Sequence, residues 1–186
     1  MFNEQERQAL LRVASDSVRH GFGSGKALPV DPGEFPEKLA RPGACFVTLT
    51  VSGCLRGCIG SLEARRPLIQ DCSENAFAAA FRDFRFPPVE VKELELLGYE
   101  VSVLGLPEPM QFQSEDDLLA QLRPGTDGVV LAADDRRATF LPSVWESLPE
   151  PRQFIRHLKQ KAGLAPDYWS EAIKAFRYTV ESIRRM

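Results

Sequence analysis

No stretch of this sequence is apolar enough to cross a membrane. Runs such as 129-VVLAA-133 fall far short of the roughly 20 residues a spanning helix needs. The first residues, MFNEQERQ, are polar and acidic where a secretory leader would carry a basic start and an apolar run, so no membrane association and a cytoplasmic location are expected. Basic charge is not in surplus either. The chain has 23 Lys and Arg against 26 Asp and Glu, a net charge of −3 with the signs interspersed, which argues against a nucleic-acid groove. The pairs Arg65-Arg66, Arg136-Arg137 and Arg184-Arg185 read as solvated loops and ends. There are only 2 histidines and 4 cysteines, and no two cysteines stand in C-x₂-C spacing. His20 and His157 lie far from the cysteines in sequence, so neither a metal nor a cofactor is expected. In a reducing compartment Cys45, Cys54, Cys58 and Cys72 are free thiols. A phosphate loop is also lacking. The stretch 21-GFGSGKALP-29 looks superficially like one, but its glycine spacing is one short, Ala27 replaces the hydroxyl residue, and a helix precedes it.

What is present is a regular alternation of elements. With 186 residues the chain can bury one core, with room for two lobes. Residues 4–19 form an amphipathic helix with Leu10, Ala14 and Val18 on one stripe, ended by Gly21. Residues 44–51 and CLRGCIG at 54–60 form a hairpin. Pro67 suits the first turn of a helix that carries Leu68, Cys72, Ala76 and Ala80 on one stripe and is stopped before Pro87-Pro88. Residues 97–104 alternate as a strand. The order then recurs. Ser114 caps a short helix, 128-GVVLAADDRRATFL-141 is a second hairpin, Pro151 opens a helix closed by Gly163, and 175-AFRYTVESI-183 is a final strand. Hairpin, helix, strand therefore occurs twice, near 44–104 and near 128–183. That predicts one α+β domain over 1–186, with two β-β-α-β repeats around one largely antiparallel sheet and the helices outside.

The first hairpin carries the chemistry. A two-residue turn at Ser52-Gly53 would set Arg56 opposite Leu49, on the apolar side. A three-residue turn, Ser52 to Cys54, sets Arg56 opposite Thr50 and Cys58 opposite Thr48, and separates apolar from polar. It places Val47, Leu49, Val51, Leu55 and Ile59 on the core face. The other face then carries Thr48, Thr50, Arg56 and Cys58, with Gly57 and Gly60 leaving room above the backbone. A disulfide between Cys54 and Cys58 would have to span about 13 Å of extended chain, which excludes it. A thiol beside an arginine has its thiolate favoured, yet no histidine base is near in sequence. A small buried cysteine and an arginine that forms a salt bridge or anchors a loop account for the same residues. Trp145 and Phe140 read as core, and His157 as a surface or satisfied histidine rather than a catalyst.

The string LRGCIG at 55–60, preceded by FVTL at 46–49, resembles the signature of the AMMECR family, whose bacterial members are called AmmeMemoRadiSam system protein A. Further blocks follow in the family's order: 83-DFRFPPV-89, the EL of 93-ELELL-97, 101-VSVL-104 with Pro107-Glu108, 127-DGVVL-131, 138-ATFLPSVWE-146 and 161-KAGL-164. The resemblance covers nearly the whole chain. It implies an α+β fold with two repeated units around a barrel-like mixed sheet. It also implies association with Memo-type and radical-SAM proteins, often encoded with or fused to family members, in a shared pathway of RNA or metabolite modification.

Two functions fit these residues. In the first, a cleft between the repeats handles a small anionic ligand or substrate. Arg56, Thr48, Thr50, Gly57, Gly60 and Arg85 bind it, guanidinium being suited to carboxylate and phosphate. Cys58 is nucleophile or proton donor, and Asp83 is acid/base or orients Arg56. A helix-end salt bridge explains Asp83 and Arg85 equally well. In the second, the chain is a non-catalytic binding or adaptor module that docks a protein partner.

Overall fold

A computed structural model describes residues 1–184; Arg185, the second member of the terminal basic pair, lies outside the described residues. The chain forms two compact units, Met1–Leu104 with the segment from Glu181 onward, and Gly105–Val180.

In the first unit, helix α1 (Glu4–Ser24) starts at Asn3. The Asn3 side chain accepts the Glu6 N–H at 2.9 Å and the Glu6 carboxylate accepts the Asn3 N–H at 2.8 Å, so two otherwise unpaired donors are satisfied. The helix does not stop at Gly21. It continues one more turn to Gly25, whose φ of +67° is the left-handed conformation that ends helices. Gly21 serves packing instead, because a Cβ there would come within 2.6 Å of the Phe81 ring. After helix α2 (Glu37–Ala40) come strands β1 (Pro42–Gly43), β2 (Cys45–Val51), β3 (Cys54–Gly60) and β4 (Arg66–Pro67). Helix α3 (Leu68–Phe81) follows, with Pro67 as its cap rather than inside its first turn. Strand β5 (Leu97–Leu104) pairs antiparallel with β2. α3 covers β2 and β3, while α1 packs on α3 and β5. Cys45, Val47 and Leu49 of β2, Leu10, Val13 and Val18 of α1, and Ile69, Cys72 and Ala76 of α3 fill the core between them.

The hairpin register departs from expectation in an instructive way. The turn has two residues, Ser52 and Gly53, both at positive φ (51° and 80°). Such a turn matches the strand twist. It pairs Val51 with Cys54 and Thr50 with Leu55. A bulge then takes up Arg56, and Leu49 pairs with Gly57, Thr48 with Cys58, and Val47 with Ile59. The pairing of Cys58 with Thr48 is as expected. Arg56 is not opposite Thr50, and Leu55, now on the Thr50 side of the sheet, is 46% exposed instead of lying in the core.

The second unit contains β6 (Glu108–Pro109), α4 (Glu115–Gln121), β7 (Gly128–Ala133), β8 (Arg136–Phe140), α5 (Pro151–Lys161) and β9 (Lys174–Tyr178). Ser114 caps α4 by accepting the Asp117 N–H. Pro151 begins α5, and Gly163 (φ +77°) follows its end. Trp145 is core: it stacks on Phe154 with centroids 3.8 Å apart, and its indole N–H donates to the Asp127 carbonyl at 2.7 Å. His157 lies exposed on α5.

The run 175–183 is two strands rather than one. It breaks at Thr179, whose carbonyl accepts the Gly105 N–H, and β10 (Val180–Arg184) joins β5 in the first sheet. The sheets run β10-β5-β2-β3 and β6-β9-β7-β8, with a separate β1-β4 ladder. In each the strand after the helix returns antiparallel to the first strand of the hairpin, β5 to β2 and β9 to β7. The fold is thus α+β with antiparallel sheets and helices outside them. Its strands are divided between two open four-stranded sheets, each with its own core, and do not close into a barrel.

Candidate functional site

All eight residues singled out from the sequence fall in the first unit, on β2, on β3 and in the segment after α3. They form two clusters. In the first, the half-buried Cys58 thiol lies 3.3 Å from Thr48 Oγ1, which donates to it. The Cys58 N–H donates to Asp83 Oδ2 at 2.9 Å, and the Cys58 carbonyl accepts from Arg85 Nη2 at 3.1 Å. Asp83 and Arg85 are joined to each other through Nε (2.9 Å) and Nη2 (2.6 Å). A carboxylate and a guanidinium thus satisfy both backbone groups of an edge-strand residue, which would otherwise be open to pairing with another strand. Asp83 is 4% exposed. The hydrogen bonds from Arg85, aided by the Cys58 and Arg85 amides, hold its carboxyl well below the usual carboxylate range against the opposing effect of burial.

The second cluster is built on the bulge. Arg56 leaves the β3 ladder and reaches the loop after α3. Its Nε and Nη2 bind the two Glu93 oxygens at 2.7 and 3.0 Å, while Nη1 and Nη2 donate to the carbonyls of Pro87 and Pro88 at 2.9 and 3.2 Å. Glu93 also accepts the Glu90 N–H at 2.8 Å. The Arg56 and Glu93 side chains are 13% and 19% exposed. Arg56, followed by the Glu90 amide, lowers the Glu93 carboxyl to about 2.

The glycines do not open a space. A Cβ on Gly57 would come within 2.1 Å of the Ala79 carbonyl oxygen, so α3 lies directly on β3 there. Above Gly60 sits the Phe46 ring, 2.2 Å from where a Cβ would be. Thr50 stands apart from Cys58, beside Leu55 and over Gly98.

Sequence reasoning missed Glu93 as the partner of Arg56, although 93-ELELL-97 stood among the resembling blocks. It also missed a buried polar network. Asp71, 1% exposed, accepts from the Cys45 N–H at 3.0 Å, Ser61 Oγ at 2.7 Å and Asn75 Nδ2 at 2.9 Å, and Arg66 lies 3.4 Å away. The signal was available, since two polar residues four apart within the apolar run of a helix share one side and require partners. A groove of about 620 Å³ in the same unit is lined by Lys26–Val30 and by Arg66, Gln70, Glu74, Phe77 and Arg82, and by none of the eight residues. Among the described residues no group of three or more His, Cys, Asp or Glu is placed to hold a metal.

Chemically, the clusters are strong in structure and short of free groups. An aspartate held ionised has no proton to donate at neutral pH. Arg56 has all three guanidinium nitrogens engaged, on the Glu93 carboxylate and two prolyl carbonyls, and Arg85 has its Nε and Nη2 engaged on Asp83 and the Cys58 carbonyl. What faces outward along this segment mixes the charged Glu90, Lys92 and Glu95 with large apolar side chains. Phe84 is 94% exposed, Val91 66% and Leu96 62%.

The AMMECR1 family model matches residues 11–183. A protein of Methanothermobacter thermautotrophicus is 33% identical over 96% of this chain and 94% of its own length, and one of Thermotoga maritima is 36% identical over 92% of each. Among solved structures, the crystal structure of the uncharacterised protein PH0010 from Pyrococcus horikoshii is similar. It has a TM-score of 0.76 and 31% identity, with 93% of this chain and 88% of that chain covered.

Proposed function

The chain belongs to the AMMECR1 family, and we propose that it acts as a non-catalytic binding module that docks a protein partner on the surface formed by β3 and residues 83–96. One observation carries this reading. Arg56 and Arg85, the side chains suited to an anionic substrate, are committed to fixing that segment on β3. Between the locked residues Asp83 and Arg85 the segment presents Phe84 with 94% of its surface free. A large apolar side chain held out on a rigid backbone loses little entropy on binding, and aromatic anchors of this kind dominate interface energies. Arg56, Gly57 and Gly60 then shape the surface, and the pathway implied by the resemblance and the cytoplasmic setting expected from the sequence belong to the same proposal.

The first partners to test are the Memo-type and radical-SAM proteins. Each is titrated calorimetrically into the wild type and into Phe84→Ala. The account expects one of them to bind, and the variant to bind it about tenfold or more weakly with an unchanged far-UV spectrum. No binding by either protein, or equal binding by both forms, overturns the reading.

A second reading, in which Cys58 is a nucleophile, is favoured by its half-buried thiol beside the Thr48 hydroxyl. In that reading Thr48 and Arg85 flank the reacting atom, and Asp83 orients the strand rather than moving a proton.

A further inference from the structure

We propose that the groove between α3 and residues 26–30 binds a small amphipathic anion, a carboxylate or phosphate ester carried on an apolar body. One wall of the groove includes residues 26–29 of the rejected phosphate-loop stretch, which the structure places beside Arg66 and Arg82. Its volume of about 620 Å³ is in the range that accepts a metabolite-sized ligand. Three cations line it, Lys26, Arg66 and Arg82, against one carboxylate, Glu74. The floor is apolar, with Phe77 buried and Leu28 and Val30 half-buried.

Two features show that the site is built rather than incidental. The wall at 26–30 is tied down on both sides. The Leu28 N–H donates to Ser17 Oγ at 3.1 Å, the Leu28 carbonyl accepts from Ser73 Oγ at 2.7 Å, and the Val30 carbonyl accepts from Gln70 Nε2 at 2.9 Å. Ser17 and Ser73 are both fully buried, so ordering the wall adds no cost when a ligand arrives. The Arg82 guanidinium lies over the Phe77 ring, 4.9 Å from its centroid. Stacked in this way, it keeps its N–H edge available for a planar or tetrahedral anion. Among the described residues, neither Lys26 nor Arg82 forms an ion pair, in contrast to Arg56 and Arg85. This site is independent of the docking surface around Phe84.

The test uses phenyl phosphate, with inorganic phosphate for comparison, titrated into the isotope-labelled full chain and followed by amide resonances. The proposal expects saturable shifts confined to residues 26–30 and 66–82, with a dissociation constant of roughly 1 mM or tighter for phenyl phosphate and weaker binding for the bare ion. Lys26→Gln with Arg82→Gln weakens binding about tenfold or more, and Glu74→Gln, which removes the repelling carboxylate, strengthens it. None of the three removes an ion pair seen among the described residues, so the fold is retained. Shifts that do not saturate, shifts elsewhere, or an affinity the three substitutions leave unchanged would refute the proposal.

Discussion

The substitution Glu93→Gln isolates the lock that the bulge at Arg56 creates. It keeps the shape of the side chain and removes the charge. Arg56 then stays largely buried with two prolyl carbonyls and an amide in place of a carboxylate. A fully exposed pair of this kind is worth at most about 1 kcal/mol, and breaking a fully buried one costs about 3–5 kcal/mol. With the two side chains 13% and 19% exposed, and with both bonds to the carboxylate charge-assisted, the loss falls between these limits, at about 2 kcal/mol. For a slope of about 2 kcal/mol per molar, that lowers the urea midpoint by about 1 M. Far-UV circular dichroism is the appropriate probe, because Trp145 and Trp169 both lie in the second unit and report on that unit alone. Adding Arg56→Met and the double variant closes a cycle from which the coupling follows directly. A shift equivalent to less than about 0.5 kcal/mol would show an ordinary surface pair and refute the reasoning.

The acid limb of stability tests the same contacts. Because the folded Glu93 carboxyl is lowered from 4.5 to about 2, its contribution is present above about pH 4.5 and is lost as pH falls toward 2. Asp83, lowered in the same direction, adds to the loss. The urea midpoint therefore drops over this window, and drops less in Glu93→Gln; parallel curves for the two proteins would contradict the assignment. Gly57→Ala drives a methyl toward the Ala79 carbonyl, 2.1 Å from the ideal Cβ, and a rigid helix backbone cannot yield as a side chain can. The expected cost is about 3 kcal/mol or more, read as a fall in thermal midpoint or loss of soluble protein. A variant as stable as the wild type would mean that α3 does not lie on β3 as described.

Much of the fold was legible because it rests on periodicity. The apolar stripe of α3, the helix starts marked by Ser114 and Pro151, and the twofold order of hairpin, helix and strand each follow from local spacing. Closure of the sheet, expected from the resemblance, depends on how distant strands meet, and no local pattern encodes that. Gly21 was misread as a stop, since a glycine that ends a helix and one that admits a neighbouring ring look alike in sequence. In the hairpin the polarity argument found the correct pairing of Cys58 with Thr48 but attributed it to the wrong device. A longer turn and a short turn with a bulge give the same register beyond the bulge. Only the second sends Arg56 out of the ladder, and with it the choice between a ligand-binding arginine and an anchored one. Glu93 lies 37 residues from Arg56, and pairing at that distance is set by tertiary packing.

The central claim is that the groups around Cys58 serve structure rather than reaction. The chain supplies its own reference, since Cys54 is exposed four residues away and Cys45 and Cys72 are buried. The most direct measurement is the rate of iodoacetamide labelling of each cysteine in the native protein. Digestion after Arg56 places Cys58 alone in the peptide 57-GCIGSLEAR-65. The account predicts that Cys58 labels more slowly than Cys54, and faster than Cys45 and Cys72. A Cys58 that labels faster than the more exposed Cys54 would have an activated thiol, and would contradict the account in favour of the nucleophile.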